Sequence, residues 1–219
     1  MNRRGTGAFT LIEMLTVLVI VGIILAIGIP AFTNLMKSGG LGAAARQVSN
    51  TLTLARQYAI TRRTNVRVVF PFSGTGGAGT NLAPLYQSYA VVAVNGTTTN
   101  YLSKWERLPL GTVFLNASTL TSSSLDDLGA ANLPYPYTNS PPATLAFIEF
   151  RPWGAATPNP LTSGPNIITI TEGNMNGAIP QPTSRNITNA VVGGITNALA
   201  NAAFITVDSV IGKITVTRP

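Results

Sequence analysis

Residues 3–32 read "RRGTGAFTLIEMLTVLVIVGIILAIGIPAF", and how this stretch is read decides the fold. Two arginines precede a lone carboxylate, Glu13, and the nineteen residues from Met14 to Phe32 then pass without a charge. Wound as a helix, such a run is about 28 Å long, close to the thickness of a bilayer's hydrocarbon core. Arg3 and Arg4 stand before it and no acid occurs among the first twelve residues. The positive-inside rule therefore predicts a single membrane pass with the N-terminus in the cytoplasm and the remaining chain outside. Glu13 is the anomaly, because a carboxylate at the edge of hydrocarbon is costly unless a partner compensates it. A secretory signal peptide has a shorter apolar region, no such acid and a small-x-small cleavage site. A plain signal anchor gives no reason to keep the acid.

The other 187 residues beyond this stretch are short of charge. Charged side chains make up 10% of the 219 residues, against a usual quarter, so polar surface must come from Thr, Asn, Ser and backbone amides, as in an exported strand-rich protein. Cysteine and histidine are both absent. That removes disulfides, thiolate metal sites, Ser-His-Asp and Cys-His catalysis and the commonest general base at neutral pH, so the sequence predicts no enzyme and no cofactor. The net charge of +7, lowered by two if Arg3 and Arg4 are removed, reads as a mildly basic solvated surface with only modest attraction for polyanions or anionic lipid.

"GAFTLIE" followed by a long apolar helix resembles the class III leader of type IV pilins and secretion pseudopilins. In that family a prepilin peptidase cuts on the cytoplasmic face just before a Phe, the new amine is methylated, and a Glu stands fifth in the mature chain. The resemblance implies cleavage between Ala8 and Phe9, N-methylation of Phe9, and Glu13 as the fifth residue. A Gly usually precedes the cut; here Ala8 does, with Gly7 one place earlier. Cutting after Gly7 would make Glu13 sixth and spoil the spacing. Gly22 and Pro30 fall where many members carry a helix Gly and a helix Pro. Pro30 has no amide hydrogen and crowds the carbonyl of Ala26, and Gly22 and Gly28 lower helix propensity, so a kink or local melting is predicted there, against the alternative that membrane helices tolerate both residue types.

The spacing also predicts a mechanism. The Phe9 amine stays positive after methylation, and Glu13 lies one helical turn away. On assembly the Glu13 carboxylate of one subunit can pair with the Phe9 amine of its neighbour, taking two costly charges out of lipid together.

Beyond Pro30 a helical pattern resumes, with a predicted interruption at "SGG" (38–40). Val48, Leu52, Ala55 and Ala59 then form one apolar stripe fit to pack on a sheet. Arg46, Arg56, Arg62 and Arg63 lie mainly off it, the last two near the helix C-terminus where they complement its dipole. Six β-rich runs follow: "NVRVVF", "YAVVAV", "TLAFIEF", "NIITITE", "AFITV" and "KITVT". They predict an antiparallel sheet closed by a terminal hairpin over "DSVIG", with Ile205 and Val207 on one face and Ile214 and Val216 likewise. Segments 116–143 and 173–202 read as loops or insertions. The predicted class is α+β, a long N-terminal membrane-spanning helix packed on an antiparallel sheet domain. Its divisions are a leader at 1–8, a transmembrane and assembly half of the helix at 9–32, an amphipathic half at 33–63, and a β-rich periplasmic or extracellular domain at 64–219.

"LARQYAITRRTNVRVVF", "FIEFRPWGAAT" and the final "GKITV" further resemble the H-type minor pseudopilins and FimT-like minor pilins. The resemblance implies a minor subunit that initiates or caps a type IV pilus or a type II secretion pseudopilus. Its partners would be other pilins or pseudopilins, the prepilin peptidase, the inner-membrane assembly platform and, before assembly, membrane lipid. A major structural pilin is one alternative. A DNA-binding minor pilin of a competence pilus is another, with Lys213 and Arg218 as contacts, although Thr215 stands where that pattern has its second base. Other motifs carry little. "GTGGAG" (74–79) satisfies GxGxxG but no helix follows it. Asp126 and Asp127 form a poor cation loop without further carboxylates. Glu106 and Glu149 form a conceivable carboxylate pair, and Glu149 is expected on a solvent face or paired with Arg151.

Overall fold

The computed structural model describes residues 10–72, 75, 83–96, 98–116, 125–177, 179–182, 187–188, 198–199 and 202–218, with the side chains of 27–39, 182, 187–188 and 198–199 excepted. The chain divides into two compact units, Met1–Gly39 and Gly40–Pro219. Helix α1, Leu11–Arg62, contributes to both and includes the SGG segment at which an interruption was predicted. Thr10 caps its start: its Oγ1 accepts from the backbone N–H of Glu13 at 3.3 Å. At the other end Arg63 takes φ +50°, and the Thr64 N–H donates to the Ala59 carbonyl at 3.2 Å, which is a Schellman closure with arginine in the place glycine usually holds.

In the first unit every described side chain of residues 10–26 is exposed. The hydroxyl of Thr16 donates to the Ile12 carbonyl at 2.8 Å, so the one polar side chain inside this apolar run is satisfied by its own helix. Among the described residues no helix is long and apolar enough to cross a membrane; the run from Met14 to Phe32 continues into residues whose side chains are not described.

In the second unit α1 buries Leu41, Ala44, Ala45, Val48, Leu52, Ala55 and Ala59. The four residues of the predicted stripe are each exposed by 1% or less, so the i, i+3, i+4 pattern does mark the packed face. That face meets two antiparallel sheets. The first contains β1 (Asn65–Phe70), β2 (Ser88–Asn95), β3 (Thr98–Tyr101), β4 (Glu106–Arg107), β6 (Gly129–Pro134) and β7 (Pro142–Phe150), in the order β3-β2-β1-β7-β6 with β4 also pairing β2. The second contains β5 (Thr112–Phe114), β8 (Asn166–Asn176), β9 (Ile179–Pro182), β12 (Ala202–Val207) and β13 (Ile214–Thr217), in the order β13-β12-β8-β5 with β9 on β8. Strands β10 (Ile187–Thr188) and β11 (Ala198–Leu199) pair with each other.

Strand periodicity explains how both sheets share one core. On β1, Val66, Val68 and Phe70 point to the helix side, joined by Ala146, Ile148 and Phe150 of β7 and by Ile168, Ile170, Ile205 and Val207 of the second sheet. The opposite face of the first sheet holds a second cluster of Val69, Val92, Leu133, Tyr135 and Leu145, with Tyr101 and Trp105 packed on it. A sheet covered on both faces needs apolar residues at consecutive positions, which is why "NVRVVF" shows no clean alternation.

Three expectations change. The single predicted sheet is two principal sheets, because β7 returns to β1 whereas β8 pairs with β12 and β5. The segments read as loops contain β6, β9, β10 and β11. Strand β6 is "GAANLP", with no β-branched residue, and is held by its ladder to β7 rather than by propensity. The terminal hairpin forms as predicted, with Ile205 opposite Val216 and Val207 opposite Ile214, yet Val216 is 42% exposed where Ile205 is buried, since β13 is an edge strand.

The stripe generates a direct test. Leu52→Ala should lower the unfolding free energy of the full chain in detergent by about 2–5 kcal/mol in urea titration. Leu54→Ala, two residues away on the exposed side, should change it by no more than about 0.5 kcal/mol.

Candidate functional site

Polar groups gather at two places, one in each unit. At the start of α1, Thr10-Leu11-Ile12-Glu13 has the spacing of a capping box, with Glu13 at the third helical position. Its carboxylate stands at the positive end of the helix dipole, where an acid is favoured. Glu13 is exposed, and so are its apolar neighbours Leu11 (85%), Ile12 (67%) and Met14 (52%). Among the described residues this is an acid within an exposed apolar surface. The T-x-x-E spacing is the sequence signal for this cap, and it lies inside a stretch dominated by the membrane-length apolar run. Gly22 lies in the helix with nothing within 4 Å of where a Cβ would be. Ala8 and Phe9, the residues flanking the expected cut, lie outside the described residues. Gly28 and Pro30 lie in the helical span, and their side-chain surroundings are likewise outside the description.

The second place is the C-terminal hairpin of the second unit. Its turn is built by Asp208: Oδ1 accepts from the N–H groups of Val210 at 2.8 Å and Ile211 at 2.9 Å, and the main-chain carbonyl accepts from Gly212 at 2.9 Å. Gly212 has φ +65°. The turn is fastened to α1 by Arg56, whose Nε donates to the Gly154 carbonyl and whose Nη2 donates to the Ile211 carbonyl, both at 2.9 Å. Two glycines let the loops close around this guanidinium. A Cβ on Gly212 would strike the Gly154 carbonyl, and a Cβ on Gly154 would lie 2.9 Å from Cδ1 of Ile60. No sequence pattern links Arg56 to residues 98 and 155 positions away, so its clamping role was invisible before the fold.

Lys213 is exposed beside a polar depression of about 400 Å³ that Thr53, Arg56 and Ile211 also line. Arg218 is exposed at the far end of β13, with its guanidinium against Gly42 of α1. Five residues of extended chain set their backbones about 17 Å apart, and the Arg218 guanidinium lies against α1 whereas Lys213 lies beside the depression.

The remaining acids each have a partner of their own. Glu149 pairs with Arg67 at 2.6 Å, not with Arg151, and Arg67 also lies over the Phe147 ring at 4.4 Å. Arg151 instead stacks on exposed Trp153 at 5.4 Å. Glu106 accepts from Tyr89 Oη at 2.8 Å and from Gln47 Nε2 at 3.4 Å. Burial first, and then this acceptor, push the Tyr89 hydroxyl above its ordinary pKa, so it remains a donor tying β2 to β4. Asp126 accepts from Tyr86 Oη at 2.9 Å. Among the described residues no group of three or more carboxylate, His or Cys side chains could hold a metal.

Residues 44–174 match the family model described as type II transport protein GspH. Residues 3–29 match the prokaryotic N-terminal methylation motif. Among solved structures, the chain is similar to the type IV minor pilin FimU of Pseudomonas aeruginosa, with 10% identity over 84% of this chain and 92% of that one and a TM-score of 0.41. No curated protein matches the sequence.

The hairpin geometry separates two glycines that composition treats alike. Gly96→Ala, at φ +60° with open space around it, should cost only about 1 kcal/mol of backbone strain. Gly212→Ala adds collision with the Gly154 carbonyl and should cost at least about 2 kcal/mol, read as the difference in denaturant midpoint between the two variants.

Proposed function

The chain belongs to the GspH family of type II transport proteins, and on that premise we propose that it is a minor pilin or pseudopilin subunit, built into a type IV pilus or type II secretion pseudopilus at its initiation or tip. In this reading a prepilin peptidase cuts between Ala8 and Phe9, the Phe9 amine is methylated, and Glu13 becomes the fifth residue of the mature chain. The methylation motif over residues 3–29 supports the processing. The protein waits in the inner membrane with its N-terminus cytoplasmic and its β-rich part periplasmic, until the assembly platform draws it into the filament among other pilins.

The observation that carries this reading is the contrast between the two parts of α1. From Gly40 onward the helix buries its apolar stripe in the chain's own sheets, whereas the described side chains of 10–26 are all exposed although nearly all are apolar. Such a surface needs lipid or neighbouring helices to cover it. Glu13 is the only charge on it, and a neighbour's Phe9 amine is the complement that makes its burial affordable. The Thr10 cap holds the first turn of α1 in shape while leaving the carboxylate exposed to that neighbour.

The test is incorporation. With the other filament components present, Glu13→Gln should be cut and should remain in the membrane, with its share of sheared filaments or pseudopilus reduced at least about tenfold, the equivalent of 1.4 kcal/mol. Incorporation equal to wild type would remove the carboxylate from the mechanism.

A further inference from the structure

On the face of the first sheet turned away from α1, the segment between β3 and β4 and the loop between β6 and β7 enclose a pocket of about 460 Å³. Its floor is aromatic. The rings of Tyr101 and Trp105 lie 5.8 Å apart at 51° and form a corner, and buried Tyr135, which does not line the pocket, braces Trp105 edge-on at 5.5 Å and 86°. Tyr137 stands at the mouth, 62% exposed. Around the rim are Ser103, whose Oγ already accepts from the Val91 N–H at 2.9 Å and so has only its O–H left to give, and the exposed residues Asn139 and Lys104. None of these residues enters the assembly mechanism proposed above.

The polar tips of the floor are already used inside the protein. Tyr101 Oη donates to the Pro134 carbonyl at 2.6 Å, and Trp105 Nε1 donates to the Pro136 carbonyl at 2.8 Å. What the floor offers a ligand is therefore ring faces and not donors, and hydrogen bonds must come from the rim. A proline-rich peptide would lack the indole N–H that could hold its carbonyls. A cationic ligand would meet Lys104 and no lining acid. Single-stranded nucleic acid needs a cationic groove along its backbone, and this pocket has one cation. The combination of apolar floor, hydrogen-bonding rim and single positive charge matches an amphipathic ring whose C–H face is apolar, whose edge carries hydroxyls and which bears one carboxylate.

We propose that the Tyr101–Trp105–Tyr137 pocket binds an acidic saccharide of the uronate class, with the sugar's C–H face on the aromatic corner, its carboxylate on Lys104 and its hydroxyls on Ser103 and Asn139. A subunit displayed on a filament would thereby carry a contact for acidic polysaccharide.

The experiment uses the full chain in detergent with Trp153→Phe, which leaves Trp105 as the sole indole. Titration with a trimer of galacturonate should change Trp105 fluorescence saturably, with a dissociation constant of about 0.1–1 mM, ordinary for one stacked ring and one charge. Lys104→Met, which keeps the apolar stem, and the methyl-esterified trimer should each weaken binding by about fivefold to tenfold, and combining them should add nothing further. Tyr137→Ala should weaken it by a similar factor; both substituted side chains are exposed, so the fold should persist. The proposal is overturned if the trimer gives no saturable response, if the ester binds as well as the acid, if Tyr137→Ala leaves binding unchanged, or if oligothymidylate binds the same pocket more tightly.

Discussion

The packing of small side chains along one side of α1 is the constraint on which the globular unit depends. Ala44, Ala45, Ala55 and Ala59, with Val48 and Leu52 between them, are buried against residues of both principal sheets. Alanine keeps the helix axis close to the sheets, and a larger residue at these fully buried positions would have to push strands apart, because protein interiors have no slack of that size. Two sheets that do not join by a continuous ladder are thus made into one body by the helix they share. The same helix, some thirty residues earlier, presents apolar side chains that are exposed throughout the described residues 10–26. One secondary-structure element therefore serves two environments, and its sequence changes pattern accordingly, from apolar all round to an apolar stripe.

A chain with so little charge spends most of it on position. Arg56 reaches two carbonyls and holds two loops to the helix; Arg67 holds Glu149 and covers Phe147; Glu106 gathers Tyr89 and Gln47. In each case the charged group joins segments far apart in sequence, two turns to α1, β1 to its neighbour β7, and β4 to β2 and α1, and so helps to hold them in place. Glu13 differs. Its main-chain N–H is held by Thr10, yet its carboxylate stands exposed among apolar side chains. A carboxylate that favours the helix start yet stays exposed is well suited to meet a charge on another subunit.

The sequence made some of this legible. The stripe at Val48, Leu52, Ala55 and Ala59 was readable because helical periodicity over three turns has few alternative explanations, and β1 was read to the residue because "NVRVVF" is bounded by a helix end and a proline. Strand β6 was not, since Gly129, Ala130 and Ala131 carry no strand preference and acquire their conformation from β7. The division into two sheets was hidden for a similar reason: pairing is decided by long-range ladders, not by the strands' own composition. Of the site residues, Glu13 stood out by being improbable, whereas Arg56 looked like any other surface arginine until Gly154 and Gly212 were seen to fold around it. The contact of Tyr101, Trp105 and Tyr135 is assembled from the end of β3, the segment that follows it and the loop after β6, and no spacing announces it.

The assembly mechanism turns on register: only if Phe9 is the first mature residue does Glu13 sit fifth, one turn from its own amine and in place to meet that of a neighbouring subunit. Mass spectrometry of the mature protein from its native membrane or filament measures this directly. The predicted result is a chain beginning at Phe9 with one added methyl group on its amine. A chain beginning at Ala8, or one retaining Met1–Ala8, would contradict it.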